Sequence, residues 1–521
     1  MRPRFLAALI AALPCFASGY DLLIRNARVA DGTGNPWYIA DVAVKDGRIA
    51  AIGRLNGAQA DRTVDAARRV LAPGFIDVHT HIEGEVEKIP RGDNYVLDGV
   101  TTVVTGNCGS SETCLGSWFA QLEKLGLGLN VASLIGHNSV REAVMGTANR
   151  TATAEEIARM QKLVEKAMQD GAAGFSTGLI YIPGTYSNTE EVVALGKIAG
   201  KYNGVYASHM RDEGEKVLEA ITEAVTVGRE AGSPVELSHF KIDTKRLWGL
   251  SEKSLALVEQ FRREGVDVVV DQYPYDHSST NLGITLPSWA LADGEAKIQE
   301  RLKDPATRKK IAAEMKARLK QLGQKDYTYA IVAGYKPDAS YEGKTIAEIT
   351  ALRGKGRKVD AQIGTIFDMM LAGGAQMVYH SMGEKDVERI LRYPNTAIGS
   401  DGGIREFGAG MPHPRSYGTN ARVLAEFVRN RSVITLEDAI RRMTSLPART
   451  FGFTDRGLLR PGMAADLVLF DPEKVQDKAT YQKPHQYSEG FDLVVVNGKI
   501  AAEGGKMTDV RAGQVLRHTA P

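Results

Sequence analysis

The sequence predicts an α/β protein: a (β/α)8 TIM-type barrel with a small β-sandwich domain built from both termini and a helical insertion. Three observations carry this expectation. Short apolar runs recur through the middle of the chain, each ending in polar or small residues, with helix-like stretches between most of them. Both ends of the chain alternate apolar and polar residues around hairpin turns. One long charged stretch interrupts the barrel pattern late in the chain. Length does not choose the architecture, because 521 residues suit either several domains or one long barrel with additions.

The first residues, MRPRFLAALIAALPCFASGY, place Arg2 and Arg4 before an apolar run from Phe5 to Leu13, then small residues. That is the layout of an export signal over residues 1–19, with cleavage at Ala17-Ser18-Gly19. The apolar run is too short to span a bilayer. The expectation is an exported, periplasmic or secreted protein without stable membrane association. Lipid anchoring through Cys15 is the weaker alternative, because Pro14 sits where lipoprotein signals favour a small residue. A formal charge of +2 gives no reason to expect nucleic acid as a partner.

Residues 20–70 and 455–510 share one grammar. DVAVKDGRIAAIG turns at Asp46-Gly47 and DLVVVNGKIAAEGG turns at Asn497-Gly498, both strong type I′ hairpin signals. Together they predict the small β domain. Residues 71–454 predict the barrel, with strands in VLAPGFIDVHTH, VTTVVTGNCG, NVASLIGHNS, AAGFSTGL, GVYASHM, PVELSHF, VDVVVDQYPY and TAIGSDG. QMVYHSM reads as one further strand, which leaves the count open by one. Thr153 and Glu156 predict a capping box at the start of one intervening helix. Residues 286–354 are charged and helical, too long for an ordinary connection. They predict an insertion on the active face, read either as a lid or as a solvated helical excursion.

The chemistry collects at the ends of the strands, where barrel enzymes keep their sites. His79 and His81 in DVHTH are two apart on a strand and project to one face, an arrangement suited to a borderline metal such as Zn2+. His209 in YASHM and His239 in ELSHF end strands in the same manner. Asp401 in IGSDGG closes the last strand, where a carboxylate facing an activated water serves as general base and then general acid. Cys108 ends a strand in GNCG. Its thiolate is a good zinc ligand. A disulfide to Cys114, six positions on, is the alternative in an oxidising compartment, but it would remove that ligand.

GFIDVHTH, GVTTVVTGNCG, ASHMRDEG, ELSHFK, DQYPY, GSDG and HPRSYGT together resemble the N-acyl-D-amino acid deacylases (D-aminoacylases) of the metal-dependent amidohydrolase superfamily, over about residues 20 to 505. The resemblance implies hydrolysis of the linear amide of a small N-acyl-D-amino acid by a Zn2+ enzyme. It implies one tight zinc on Cys108, His209 and His239, and a second, weaker position on His79, His81 and Asp401. It implies that Lys241, Arg415 and either Tyr273 or Tyr275 bind the substrate's carboxylate. The segment between Asp401 and Arg415 is longer than the family pattern leads one to expect. His137 and His380 carry no assigned role. Two alternatives stand beside this reading: a cyclic-amide hydrolase of hydantoinase or dihydroorotase type, against which Cys108 and HPR argue, and an inactive binding protein on the same fold.

Overall fold

The computed structural model describes residues 19–519, so the predicted export signal lies, apart from Gly19, outside the described residues. Eight parallel strands form the barrel: β1 (Phe75–Asp77), β2 (Val100–Thr105), β3 (Asn130–Ser133, continued by Ile135–Gly136), β4 (Gly174–Gly178), β5 (Val205–His209), β6 (Val235–Leu237), β7 (Val268–Gln272) and β8 (Thr396–Ile398). Each strand pairs with the next in chain order. A parallel bridge between Thr80 and Gly402 joins the first strand to the last and closes the ring.

Every residue of these strands is buried, which explains why they read as continuous apolar runs rather than alternating ones. Small and branched side chains, among them Val78, Val104, Ala132, Ala173, Ala207, Val269 and Ala397, pack together with Leu446 and Phe451. The C-terminal segment seals against this group through Leu516, whose N–H donates to the carbonyl of Val131 at 2.8 Å. The helix Ala154–Gln169 begins with the reciprocal Thr153–Glu156 capping box.

The terminal segments build one nine-stranded mixed sheet. Its hairpins turn at Asp46-Gly47 and Asn497-Gly498, where both residues of each turn have positive φ, as a type I′ turn requires. A bridge from Arg48 to Ala464 draws the sheet's far edge back towards Leu467–Phe470, so that the sheet surrounds its own core of Leu22, Ile24, Val42, Leu467 and Val495. One boundary needs correction. Val70–Pro73 was expected to start the first barrel strand, but it pairs with Leu467–Phe470 in this sheet. The barrel begins only after Gly74, where a β-carbon would lie 2.2 Å from the Thr101 hydroxyl oxygen.

The insertion also differs from expectation. It runs from His277 to His380 rather than over residues 286–354, and it is not purely helical. Its first and last strands, His277–Asn281 and Gln376–His380, pair antiparallel, and Ala330–Gly334 adds a third strand. The run in QMVYHSM is therefore the central strand of the insertion and no part of the barrel. The reason is a separate core, in which Leu282, Ile311, Met315, Tyr327, Ile363 and Met377 pack among themselves. No helix of the described residues is long and apolar enough to cross a membrane.

Candidate metal centre

The barrel's closure shapes the site. The backbone N–H of Asp401 donates to the carbonyl of His79 at 2.8 Å, and that of His81 donates to Gly402 at 2.7 Å. Asp77 adds a buried tie, since one of its carboxylate oxygens accepts from the backbone of both His79, at 3.1 Å, and Ser400, at 2.9 Å. Burial pushes this carboxyl up to about 6, against the pull of those hydrogen bonds. The ends of β1 and β8 are thus held in one register, and with them His79, His81 and Asp401.

Cys108 lies just past β2. Its sulfur is 3.3 Å from His79 Nε2, 3.4 Å from His239 Nε2 and 3.7 Å from His209 Nδ1. Burial alone would push the thiol up. The adjacent His79 and His239, with hydrogen bonds from His209 and His239, overcome this and hold it well below its ordinary value. Cys114 is exposed and unbridged, in a loop at the start of helix Leu115–Leu125, and Cys108 is buried and unbridged. Cys108, His239 and Asp401 all have positive φ, at 53°, 35° and 51°. For residues with side chains this backbone is costly, and such positions cluster where function demands them.

Asp401 faces the same centre. One oxygen is 3.1 Å from His81 Nε2 and 3.7 Å from His79 Nε2, and the other is 3.0 Å from Arg415 Nη2. Burial raises its carboxyl, but Arg415 and the His81 hydrogen bond hold it well below the usual carboxylate range. Three overlapping sets could hold a metal: Cys108 with His209 and His239; His79 with His81 and Cys108; and His79 with His239 and Asp401. In each set the donor atoms lie within 4.8 Å of one another. Thiolate and imidazole donors suit zinc. His209 turns Nδ1 towards Cys108, and its Nε2 lies on the side of Glu213.

Lys241 and Arg415 stand beside this centre on the floor of an open cavity of about 930 Å³ and its inner recess. Lys241 Nζ is 2.7 Å from both Glu213 Oε1 and His239 Nδ1. Arg415 lies over the ring of Tyr273, its guanidinium carbon 4.7 Å from the ring centroid, and its Nη1 has no partner. Tyr273 lines the recess, and its hydroxyl is equally unpartnered. Tyr275 is elsewhere. A tight turn in which its N–H donates to the Tyr273 carbonyl redirects the chain, and its ring packs against His413 and Tyr481. His137 is buried against Glu191 and Arg141, and His380 pairs with Asp276 at the root of the insertion, so neither lines the cavity.

Two carboxylates at the centre escaped the sequence reading. Asp271 accepts from the His239 backbone at 2.9 Å and lies 3.1 Å from His79 Nδ1, which turns Nε2 of that ring towards Cys108. Glu213 lies 3.0 Å from His239 Nδ1 and 3.8 Å from His209 Nε2. Both sit inside quoted motifs, DQYPY and SHMRDEG. For Asp271 the signal is an acidic residue near the end of a buried strand, and for Glu213 an acidic residue four positions after a strand-end histidine.

Residues 62–502 match the model of the amidohydrolase family. The chain is 36% identical to a D-aminoacylase of Alcaligenes xylosoxydans xylosoxydans, over 96% of this chain and 98% of the relative. It is 35% identical to an N-acyl-D-glutamate deacylase of the same organism, over 96% and 97%. The crystal structure of an N-acyl-D-glutamate deacylase from Bordetella bronchiseptica, complexed with zinc and a phosphonate inhibitor, superposes with a TM-score of 0.81 at 34% identity, covering 96% of this chain and 100% of the other.

Asp271→Asn tests the orienting role assigned to that carboxylate. Both of its partners donate, so an amide must present a donor to one of them. Metal affinity, measured by competition with a chromophoric chelator, is expected to fall about 10- to 100-fold. Unchanged affinity would remove Asp271 from the support of the centre.

Proposed function

The chain belongs to the amidohydrolase family, and from that premise we propose that it hydrolyses the amide bond of N-acyl-D-amino acids, giving a carboxylate and a free D-amino acid. One observation carries this reading. A buried thiolate ringed by imidazoles stands beside an arginine and a tyrosine with buried donors that have no partner. The first is a metal site, and the second is an anion site within reach of it.

The donors fit zinc: Cys108, His209 and His239 would hold a tight ion, and His79, His81 and Asp401, whose nearest atoms lie 3.1 to 3.7 Å apart, would hold a second, weaker one. Bound there, zinc supplies Lewis-acid activation of the amide carbonyl and of the attacking water. The chain's own residues do the rest. Asp401 takes the proton of the water as it attacks the carbonyl carbon, then delivers it to the nitrogen as the C–N bond breaks. Arg415 engages Asp401 through Nη2 alone, which leaves Nη1 to grip the substrate's carboxylate. The Tyr273 hydroxyl and Lys241 complete that grip, and with the carboxylate and the scissile bond both held, the recess as the third contact for the side chain selects the D hand. A hydantoin presents no such carboxylate, so these donors favour a linear N-acyl amino acid over it. The apolar segment near the N-terminus supports export to the periplasm or beyond.

Released amine from N-acetyl-D- and N-acetyl-L-amino acids is the direct assay. Turnover is expected for the D series only, to be lost with exhaustive chelation and restored by zinc. Faster opening of a hydantoin than of every N-acetyl-D-amino acid would sink the proposal. Asp401→Asn is expected to cost at least about a thousandfold in kcat, in line with the loss of a general acid–base, while the tight zinc on Cys108, His209 and His239 is retained. A variant of near-wild-type rate would end the proton-transfer role. Export predicts that the protein recovered from the cell envelope or medium has the mass of a chain starting at Tyr20, whereas a full-length mass in the cytoplasm would contradict it.

A further inference from the structure

The recess beneath the mouth has a volume of about 90 Å³. Lys241 and Tyr273 line its barrel side, and Ile284, Leu322, Tyr329 and Tyr379 from the insertion line the other. Arg318 borders both the recess and the mouth. It lies one turn before Leu322 in the helix Pro305–Leu322, so the two side chains share a face.

Arg318 is half-buried, and among the described residues its guanidinium has neither an ion-pair partner nor a hydrogen bond. The other basic groups around the cavity are engaged: Lys241 by Glu213, Arg415 by Asp401 and Arg211 by Glu223. Arg405 reaches only the mouth, where it leans on the Ser416 hydroxyl. A guanidinium keeps its charge at any physiological pH. Beside the apolar and aromatic walls of the recess, that charge loses part of its hydration, and only the longer-range field of Asp243 offsets the loss until an anion enters.

We propose that Arg318 binds a carboxylate on the substrate's side chain, so that the enzyme's substrates are N-acyl derivatives of the acidic D-amino acids, D-glutamate or D-aspartate. This rests on the reaction proposed above and deepens it. The substrate's α-carboxylate goes to Arg415 and Tyr273, its methylene stem passes Ile284 and Leu322, and its second carboxylate meets Arg318. Asp243 also borders the recess, but its carboxylate accepts from the Thr244 hydroxyl at 3.0 Å and lies beyond ion-pair distance of Arg318. A pocket governed by Asp243 would select a basic side chain instead.

The test is kcat/KM of the zinc-loaded protein, wild type and Arg318→Met, for N-acetyl-D-glutamate, its uncharged isostere N-acetyl-D-glutamine, N-acetyl-D-leucine and N-acetyl-D-lysine. The wild type is expected to prefer glutamate over glutamine by roughly ten- to a hundredfold, the worth of a hydrogen bond to a charged group. Arg318→Met is expected to erase that preference while retaining its rate on the glutamine derivative, so the ratio within one variant guards against a folding defect. Wild-type preference for the leucine or lysine derivative would overturn the assignment and leave the reaction standing. So would a variant that still prefers glutamate. No turnover of any D derivative would overturn the reaction and the assignment together.

Discussion

The site depends on how the barrel closes. Where β1 meets β8, the N–H of Asp401 donates to the carbonyl of His79, and the carboxylate of Asp77 collects the N–H groups of both strands. These contacts join residues more than three hundred positions apart in the chain. They also involve residues of the candidate metal centre, or their immediate neighbours. Any loss of register between the two strands would separate His79 and His81 from Asp401. Structural closure and catalytic geometry are here one set of hydrogen bonds, made inside a barrel whose strands are buried from end to end.

Within that frame the charges are arranged as opposed pairs. Cys108 is deep enough for burial to disfavour its anion, yet the surrounding imidazoles reverse the balance. Asp401 is buried as well, and Arg415 reverses the balance there. Beside the second pair, buried donors remain unused: Nη1 of Arg415 and the hydroxyl of Tyr273. Buried polar atoms are seldom left unpartnered in a stable protein. A set of them around one cavity marks where ligands belong, and the positive-φ backbone at Cys108, His239 and Asp401 is a further cost borne at the same place.

Much of this was legible in the order of residues. The eight strand ends could be read because a buried parallel strand requires an unbroken apolar run, and a site at the strand ends requires that the run stop at something polar. Both hairpins could be read because a type I′ turn admits few residues besides Asn-Gly and Asp-Gly. The insertion's limits could not. Its first strand, HSSTN, has little apolar character, and its partly exposed pairing with QMVYH is set by contact with a segment about a hundred positions away. The same holds for Val70–Pro73, whose apolar run suits a barrel strand or a sandwich strand equally until its partner is known.

Alone, then, the sequence determined the barrel, the terminal β domain and the donors worth watching, because periodicity and turn chemistry are local properties that act over a few residues. Tertiary structure decided which donors meet. It chose Tyr273 over Tyr275 through a turn of three residues, and it brought Asp271 and Glu213 behind the histidines. It also left Arg318 bordering the recess without an ion-pair partner among the described residues. Those outcomes depend on distances across the barrel and between the barrel and its insertion. A distance between residues far apart in the chain is fixed only when packing and hydrogen bonding have brought their elements together.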